Sequence, residues 1–294
     1  FLLLTLFANL FYTKHISDTN NVSLVVNIKE DLIPKSLTRK YNLIVPRVGF
    51  LINQNSIKFL KYFSLKYLIY PYFLLKCIVK ISIYTYYCKV YNPIAIIVSS
   101  EYSFTSSILT AFLETHGILH INVMHGEKVF NIRDSFFRFS QCFVWDPHYC
   151  DLFKTLKAYP EQFYIELPPR HIKLIRYKKD NNIDSPVSKN ILKFYWASEI
   201  DENELDYIRR YLIKLKELGF KIIVRSHPLH KKLFNNKIKP YFYGFPVEDP
   251  FEKNIYESLA ETNYVLGSYT TVLYESLLMG KVVVINDYCD TIKK

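Results

Sequence analysis

The sequence is poor in glycine and lacks the short motifs that mark the common nucleotide-binding and hydrolase folds. Only 7 of its 294 residues are glycine, and no G-x-G-x-x-G, Walker A or G-x-S-x-G segment occurs. These motifs hold phosphate with backbone amides or expose a nucleophilic serine, so their absence argues against Rossmann dehydrogenases, P-loop proteins and α/β-hydrolases. Any bound phosphate must therefore be held by side chains and helix ends.

Cysteine is scarce and shows no paired spacing. The five cysteines are an odd number, and no two of them form a C-x-x-C pair. This pattern predicts neither a disulfide framework nor a zinc ribbon, and it fits a reducing cytoplasm. His227 and His230 are three positions apart, but no fixed spacing of further metal ligands accompanies them. We therefore expect a protein without a metal or another cofactor.

Acidic residues are fewer than basic ones. Lysine and arginine number 38 against 27 aspartates and glutamates, which gives a net charge of +11. Such an excess attracts phosphate-rich partners, namely nucleic acid, anionic lipid or a nucleotide-activated substrate. The lysines are dispersed and no nucleic-acid-binding module accompanies them, so we expect no nucleic-acid partner.

Half of the residues are hydrophobic, and a length of 294 residues fits two domains. Short apolar runs alternate with longer segments after Tyr41, which indicates parallel strands connected by helices. The pattern dissolves between Pro168 and Asn190 into polar residues and proline, where we place a linker. The sequence predicts an α/β protein of two doubly wound, Rossmann-like domains facing a cleft, residues 1–180 and 181–294, of which the second is incomplete.

Two apolar segments each allow two interpretations. Phe1–Phe11 is either a buried first strand, which we favour, or the remains of a signal sequence. Ile57–Tyr91 is crowded with aromatic and aliphatic residues and carries six lysines. It is either a buried helix with a solvated lysine edge, which we favour, or a basic amphipathic helix pair on an anionic membrane. We interpret the chain as truncated at both ends, because it begins with phenylalanine and stops directly after an apolar run.

In a doubly wound sheet, ligands bind beyond the carboxyl ends of the strands, so polar residues that follow a strand are candidates for function. In the first half, His125 follows a predicted strand, His120–Met124, and is suited to act as a general base. Glu127 could take the same role, and so could Glu101, which follows the strand that begins at Ala95. A locally hydrogen-bonded turn is the alternative for His125, and helix capping is the favoured explanation for the segment around Glu101.

In the second half, the loop after the predicted strand Phe220–Val224 concentrates cationic and hydrogen-bonding groups. A guanidinium fork and an imidazole N–H match phosphate oxygens, so Arg225 and His227 are candidates for binding a donor phosphate. The alternative is a solvent-exposed loop in which the histidine caps a carbonyl group.

A second candidate for phosphate binding is the segment before a predicted helix at Val272–Met279. The hydroxyls of Ser268, Thr270 and Thr271 lie there together with helix N-terminal amides, whose dipole attracts anions. Glu275 follows Thr271 by four residues, hence on the same helix face, and could reach a ribose hydroxyl. Ordinary N-capping beside a surface glutamate is the alternative. Helix starts are also predicted at Asp146 with Pro147 and at Asp249 with Pro250.

Three segments together resemble one family. VRSHP at 224–228 and GSYTTVLYESLLMGKVVVI at 267–285 are similar to the donor domain of GT-B-fold glycosyltransferases. VMHGEK at 123–128 resembles the His-Gly loop of bacterial enzymes that synthesise surface polysaccharides, including polyol-phosphate and sialic-acid transferases.

The resemblance implies that His227 contacts the donor phosphate with Arg225 beside it, and that His125 is the base on the acceptor side. It implies that Ser268, Thr270 and Thr271 surround the phosphate and that Glu275 binds the ribose. The expected reaction is a metal-independent, inverting transfer of a sugar from a nucleotide donor to a saccharide or lipid-linked acceptor, in the synthesis of capsule, lipopolysaccharide or another cell-surface glycan.

Other functions stay open at this point. A CDP-polyol phosphotransferase of the teichoic-acid type would use the same histidines, and a nucleotide-sugar epimerase would share the fold without needing an acceptor. A non-catalytic scaffold at the membrane edge of a polysaccharide assembly complex is the alternative from another class. For all of them we expect a cytoplasmic protein, with peripheral contact to the inner face of the plasma membrane through Ile57–Tyr91 as an option.

Overall fold

The computed structural model describes residues 22–181, 183, 190–196, 202–268 and 270–286. The chain divides into two compact units, Phe1–Pro169 and Arg170–Lys294. This division falls before the boundary that we expected at residue 180. The expected strand or signal segment at Phe1–Phe11 lies outside the described residues.

The first unit is built on a six-stranded, entirely parallel sheet with the order β2-β1-β3-β4-β5-β6. The strand Ala95–Val98 at its centre is apolar and buried throughout, as expected for a strand that is covered on both faces. The strands are β1 Val22–Val26, β2 Asn42–Ile44, β3 Ala95–Val98, β4 Leu119–Val123, β5 Gln141–Val144 and β6 Phe163–Ile165.

Two of the five helices given below for this unit begin at recognisable capping residues. Asn53 caps one helix in a reciprocal capping box with Ser56, and Asp146 caps another by accepting the backbone N–H of His148, as predicted. The helices are α1 Lys35–Lys40, α2 Gln54–Tyr67, α3 Pro71–Tyr91, α4 Ser106–Glu114 and α5 Pro147–Thr155.

The apolar segment Ile57–Tyr91 forms most of α2 and α3. From Cys77 onwards, one face of α3 is packed into the unit, with Cys77, Ile81 and Tyr87 buried. The connection between the two helices is exposed to solvent instead, since about 70% or more of Leu68 and of Ile69 is accessible. The favoured interpretation as a buried helix therefore describes α3 but not the connection. In the described parts of the chain, no helix is both long and apolar enough to cross a membrane.

The second unit is a five-stranded parallel sheet with the order β11-β10-β7-β8-β9. An irregular helical segment, residues 228–242, follows its strand β8. The strands are β7 Ile191–Trp196, β8 Lys221–Ser226, β9 Val247–Glu248, β10 Tyr264–Gly267 and β11 Val282–Ile285. The helices are α6 Pro169–Asp180, α7 Glu202–Glu217, α8 Ile255–Ala260 and α9 Thr271–Leu278.

Two sequence predictions were wrong in this unit. The first part of the predicted linker is helix α6, whose buried His171 and Leu174 are three residues apart and so share one face. Its polar composition concealed this narrow buried stripe. The helix predicted to begin at Asp249 and Pro250 begins instead at Ile255, because Asn254 forms the capping box that fixes its start.

Candidate active site

The order of strands reverses beside β1 in the first sheet and beside β7 in the second. The chain runs from β1 outwards to β2 and then returns to β3 on the other side, and β10 lies on the opposite side of β7 from β8. Such reversals open a crevice at the carboxyl ends of the strands, where doubly wound proteins bind ligands. At the first reversal there is a cavity of about 410 Å³, lined among others by Asn27 and Ser99.

Glu101 and His125 are in contact just beyond β3 and β4. Nδ1 of His125 lies 3.0 Å from Oε1 of Glu101, and Nζ of Lys128 lies 2.8 Å from the same oxygen. The Glu101 side chain is fully buried, whereas that of His125 is 38% exposed. A carboxylate at Nδ1 favours the tautomer with its proton on that nitrogen, which leaves Nε2 able to accept a proton from a substrate.

Glu101 is ionised in spite of its burial. Burial disfavours the charged form, but the contact with His125 and the positive charge of Lys128 outweigh it and lower the pKa of Glu101 to about 2. Nδ2 of Asn122 donates to Oε2 of Glu101 at 3.2 Å, and Oδ1 of Asn122 accepts the backbone N–H of Ser100 at 2.8 Å. Because Glu101 is buried and already has partners, it is better suited to orient His125 than to act as the base itself.

The ring of Tyr102 lies against the same cluster. Its centroid is 5.5 Å from that of the His125 ring. Nζ of Lys128 and the guanidinium of Arg133 lie 5.3 and 5.6 Å from the Tyr102 centroid. The ring of Tyr102 thus borders the His125 cluster and contacts two cations, of which Lys128 is paired with Glu101.

Glu127 has a different environment from Glu101. Burial, together with the negative charge of Asp146, raises the pKa of Glu127 to about 7. A carboxyl group that is partly protonated near neutral pH can donate or accept a proton, so Glu127 remains an alternative base. The structure thus brings two of the three predicted catalytic residues together and gives the third another neighbour.

In the second unit, His227 begins the irregular segment after β8. Its Nδ1 accepts the backbone N–H of Leu229 at 3.2 Å, so the neutral imidazole carries its proton on Nε2. The ring of His230 is centred 5.4 Å away. A donor N–H at the carboxyl edge of the sheet is the group that the predicted contact with a phosphate requires.

The three predicted hydroxyl groups lie after β10, at the start of α9. The hydroxyl of Ser268 donates to Oε1 of Glu204 at 3.4 Å. Thr270 occupies the N-cap position of α9 without making a side-chain capping bond, and Thr271 is the first residue of the helix. Oγ1 of Thr270 is buried without a hydrogen-bond partner. A helix N-terminus without a side-chain cap is a suitable place for an anion.

Arg225 and Glu275 lie in the interior, not at the surface where a donor would be bound. Arg225 belongs to strand β8, is 4% exposed, and its guanidinium is 2.5 Å from Glu248 and 2.8 Å from the carbonyl oxygen of Lys253. Glu275 is 1% exposed and lies 2.6 Å from Nε of Arg170. These contacts suit positioning roles, whereas the sequence suggested direct contact with phosphate and ribose.

Arg225 is part of a buried ionic network around Glu248. The side chain of Lys193 is completely buried, and its Nζ lies 2.6 Å from Glu248 and 3.2 Å from Glu261. The hydroxyl of Ser258 donates to Glu248 and is 2.6 Å from the hydroxyl of Tyr195. Burial opposes the ionisation of Glu248, but hydrogen bonds from its partners outweigh it and lower its pKa. Among the described residues, no group of histidine, cysteine and acidic side chains is arranged to hold a metal ion.

Sequence reasoning missed Lys128, Asn122 and Lys193. Lys128 was part of the quoted VMHGEK segment, and its position three residues after His125 was the available signal. Asn122 and Lys193 are polar residues inside apolar strands, a pattern that indicates a paired polar group in the interior. The sequence does not specify what such a residue contacts.

Comparisons with known proteins give the fold. No family model and no curated protein matches the chain. Among solved structures, UDP-N-acetylglucosamine 2-epimerase from Rickettsia bellii matches with a TM-score of 0.55 at 13% identity, over 90% of this chain and 79% of that one.

Two further structures are similar. UDP-GlcNAc 2-epimerase from Neisseria meningitidis, bound to UDP-GlcNAc, matches with a TM-score of 0.54 at 9% identity, over 90% of this chain and 82% of that one. MnaA from S. aureus, in a structure with UDP, matches with a TM-score of 0.53 at 11% identity, over 90% of this chain and 79% of that one. The prediction of two Rossmann-like α/β units is confirmed, and the chain has a fold of the GT-B type.

Proposed function

We propose that the protein is a glycosyltransferase, which moves a sugar from a nucleotide-activated donor to a saccharide or lipid-linked acceptor in the synthesis of a cell-surface glycan. The observation that carries this proposal is the buried, ionised Glu101 that holds His125 at the carboxyl edge of the first sheet. An oriented imidazole with a free acceptor nitrogen is suited to remove the proton of an acceptor hydroxyl.

The proposed reaction is a single displacement without a metal. Nε2 of His125 takes the proton of the acceptor hydroxyl while the oxygen of that hydroxyl attacks the anomeric carbon of the donor. The bond from that carbon to the nucleotide phosphate breaks, the configuration inverts, and the phosphate leaves with the bonding electrons. The donor-binding groups that we propose are the Nε2–H of His227 and the N-terminus of α9 with Thr270 and Thr271, which would stabilise the negative charge on the departing phosphate.

Binding of a nucleotide is the first prediction. In thermal unfolding experiments with millimolar UDP, CDP, GDP or CMP, we expect one nucleotide to raise the Tm, because a ligand of the native state stabilises it by mass action. His227→Ala is expected to abolish this shift, since it removes the N–H that would meet the phosphate. The matched control is His148→Ala, an exposed histidine on α5. No shift with any nucleotide, or an equal loss in the control, would contradict the proposal.

The donor and the reaction can then be separated by product analysis. A glycosyltransferase consumes a nucleotide sugar only when an acceptor is present, and its product contains no additional phosphorus. A polyol-phosphate transferase adds phosphorus to the acceptor. An epimerase changes the sugar without an acceptor, as the names of two of the similar structures suggest for those proteins.

Contact with a membrane through Ile57–Tyr91 is a separate part of the proposal. Exposed Leu68 and Ile69 lie at the connection between α2 and α3, and no acidic residue occurs between Asp31 and Glu101. We expect the protein to float with vesicles containing phosphatidylglycerol, and Leu68→Ser with Ile69→Ser to remove this binding. The control is Leu218→Ser, which changes an equally exposed leucine of the second unit. Equal flotation of all variants would contradict the prediction.

A further inference from the structure

A groove of about 1080 Å³ lies beside Tyr102 in the first unit. Leu75 and Val79 of α3 line it together with Phe104 and Phe136. All four side chains are exposed, from 43% for Val79 to 68% for Phe136. Exposed apolar side chains that border one groove mark a place where an apolar ligand can be bound.

The groove also contains three cations, Lys76, Lys80 and Arg133. Their contacts are with neutral groups. Nζ of Lys80 donates to the hydroxyls of Ser103 at 3.0 Å and Thr105 at 2.7 Å, Lys76 lies over the rings of Tyr72 and Phe104, and Arg133 lies over Tyr102. In the described part of the chain, no aspartate or glutamate lines the groove. The positive charge is therefore available for an anion.

The groove leads towards His125. It shares Lys80, Tyr102 and Ser103 with the cavity of about 410 Å³ at the reversal of strand order beside β1. The ring of Tyr102 contacts the ring of His125. Tyr102 thus connects the groove, which holds the apolar side chains and the cations, with the proposed base.

We propose that this groove binds a single anionic amphiphile, a lipid phosphate, with its tail against the apolar walls and its phosphate at Lys76, Lys80 and Arg133. The binding site itself does not depend on the proposed function. The identification of the amphiphile as the acceptor rests on it, because a sugar carried on this phosphate would supply the hydroxyl and would extend past Tyr102 towards His125.

The environment of Lys80 disfavours its positive charge in the absence of an anion, and an anionic ligand would counteract this. Burial, and the nearby charge of Lys76, lower the pKa of Lys80. A phosphate at this place would supply a negatively charged partner for both lysines, which the residues lining the groove do not provide. Charge-assisted hydrogen bonds to phosphate are stronger than those between neutral groups, so the phosphate is expected to contribute much of the affinity.

The test is calorimetric titration of the full chain with dodecyl phosphate below its critical micelle concentration. We expect saturable binding of one molecule, and no comparable binding of dodecanol or of inorganic phosphate, because each lacks one half of the interaction. Lys76→Gln with Arg133→Gln is expected to raise the Kd at least about tenfold. Val79→Glu, which places a negative charge in the groove, is expected to weaken binding as strongly.

Matched controls are available on α3 itself and on α2, which does not line the groove. Lys89→Gln changes an exposed lysine of α3 outside the groove, and Leu65→Glu changes an exposed leucine of α2. Both are expected to leave the Kd within about twofold. Equal binding of dodecanol, or an equal loss of affinity in these controls, would overturn the proposal. So would binding to phosphatidylglycerol vesicles without saturable binding of dodecyl phosphate, which would assign the same side chains to a bilayer surface.

The experiment separates this proposal from the proposed function. His125→Ala is expected to bind dodecyl phosphate with unchanged affinity, because the base does not line the groove. If dodecyl phosphate binds but no nucleotide sugar is consumed, the proposed lipid-phosphate site is supported and the proposed glycosyltransferase activity is wrong. If a sugar is transferred and the groove variants bind dodecyl phosphate as the wild type does, the groove proposal is wrong.

Discussion

Replacing His125 by alanine is expected to lower the rate of sugar transfer by about 10²- to 10⁴-fold, the contribution that a positioned general base makes. Without the imidazole, the acceptor hydroxyl must lose its proton to water. Donor binding is expected to be unchanged, because the proposed donor-binding groups belong to the second unit. The measurements are the initial rate of transfer with the donor identified by nucleotide binding, and the Tm shift with that nucleotide.

Two further variants test how His125 is held. Glu101→Gln keeps the shape of the side chain but removes the charge that favours the proton on Nδ1, so we expect a smaller loss of rate, about tenfold to a hundredfold. His148→Ala, the surface control, is expected to transfer at the wild-type rate. If His125→Ala remains fully active while folded, as judged by circular dichroism, the role of His125 is wrong.

The same assay distinguishes Glu127 from His125 as the base. With a pKa of about 7, Glu127 becomes ionised as the pH rises through neutrality, so a reaction that uses it as a base should accelerate through pH 7. Glu127→Gln would then remove both the activity and this part of the pH profile. If His125 is the base, Glu127→Gln is expected to keep most of the activity.

Replacing Lys193 by methionine is expected to lower the free energy of unfolding by about 3 kcal/mol, the range found when one partner of a buried ion pair is removed. The substitution leaves the Glu248 carboxylate buried with less compensation, because Lys193 is its partner at 2.6 Å. Arg225→Met is expected to have an effect of similar size for the same reason. Urea unfolding followed by circular dichroism measures the change.

The comparison variants make this prediction specific. Lys231→Met removes an exposed ion pair with Asp249 and is expected to cost about 1 kcal/mol or less. Glu248→Gln in the Lys193→Met background should recover part of the stability, because it removes the uncompensated charge. If Arg225→Met abolishes nucleotide binding but leaves the unfolding curve unchanged, the predicted direct contact with phosphate is right and the positioning role is wrong.

Much of the fold could be predicted because short apolar runs that alternate with longer segments are typical of parallel strands and their connecting helices. The strand around Ala95 and the one around Ile121 are recognisable from their sequences alone. The first strand, Val22–Val26, was missed, since this short apolar run lies ahead of Tyr41, after which apolar runs and longer segments alternate. Helix α6 was missed because only a narrow stripe of it is buried, and a polar sequence predicts a loop as readily as such a helix.

The candidate site divides in the same way. The rule that ligands bind at the carboxyl ends of strands made His125 and His227 candidates. This rule could not show that Glu101 and His125 are in contact. The two residues are 24 positions apart in the sequence, and their contact depends on β3 and β4 being neighbours in the sheet.

Arg225 shows most directly what the sequence left open. Its charge and its place near the end of an apolar run suggested a group that binds phosphate. In the structure, β8 ends two residues later than predicted, at Ser226, and Arg225 pairs with Glu248 of β9 across the sheet. Side-chain direction in a strand changes with every residue, so the exact end of the strand and its register decide whether an arginine reaches a ligand or the interior. By itself, the sequence determined the class of fold and the loops in which to look for function, since hydrophobic pattern and turn residues act locally. Only the tertiary structure decided which polar side chains meet, because that depends on the order and register of strands that are distant in the chain.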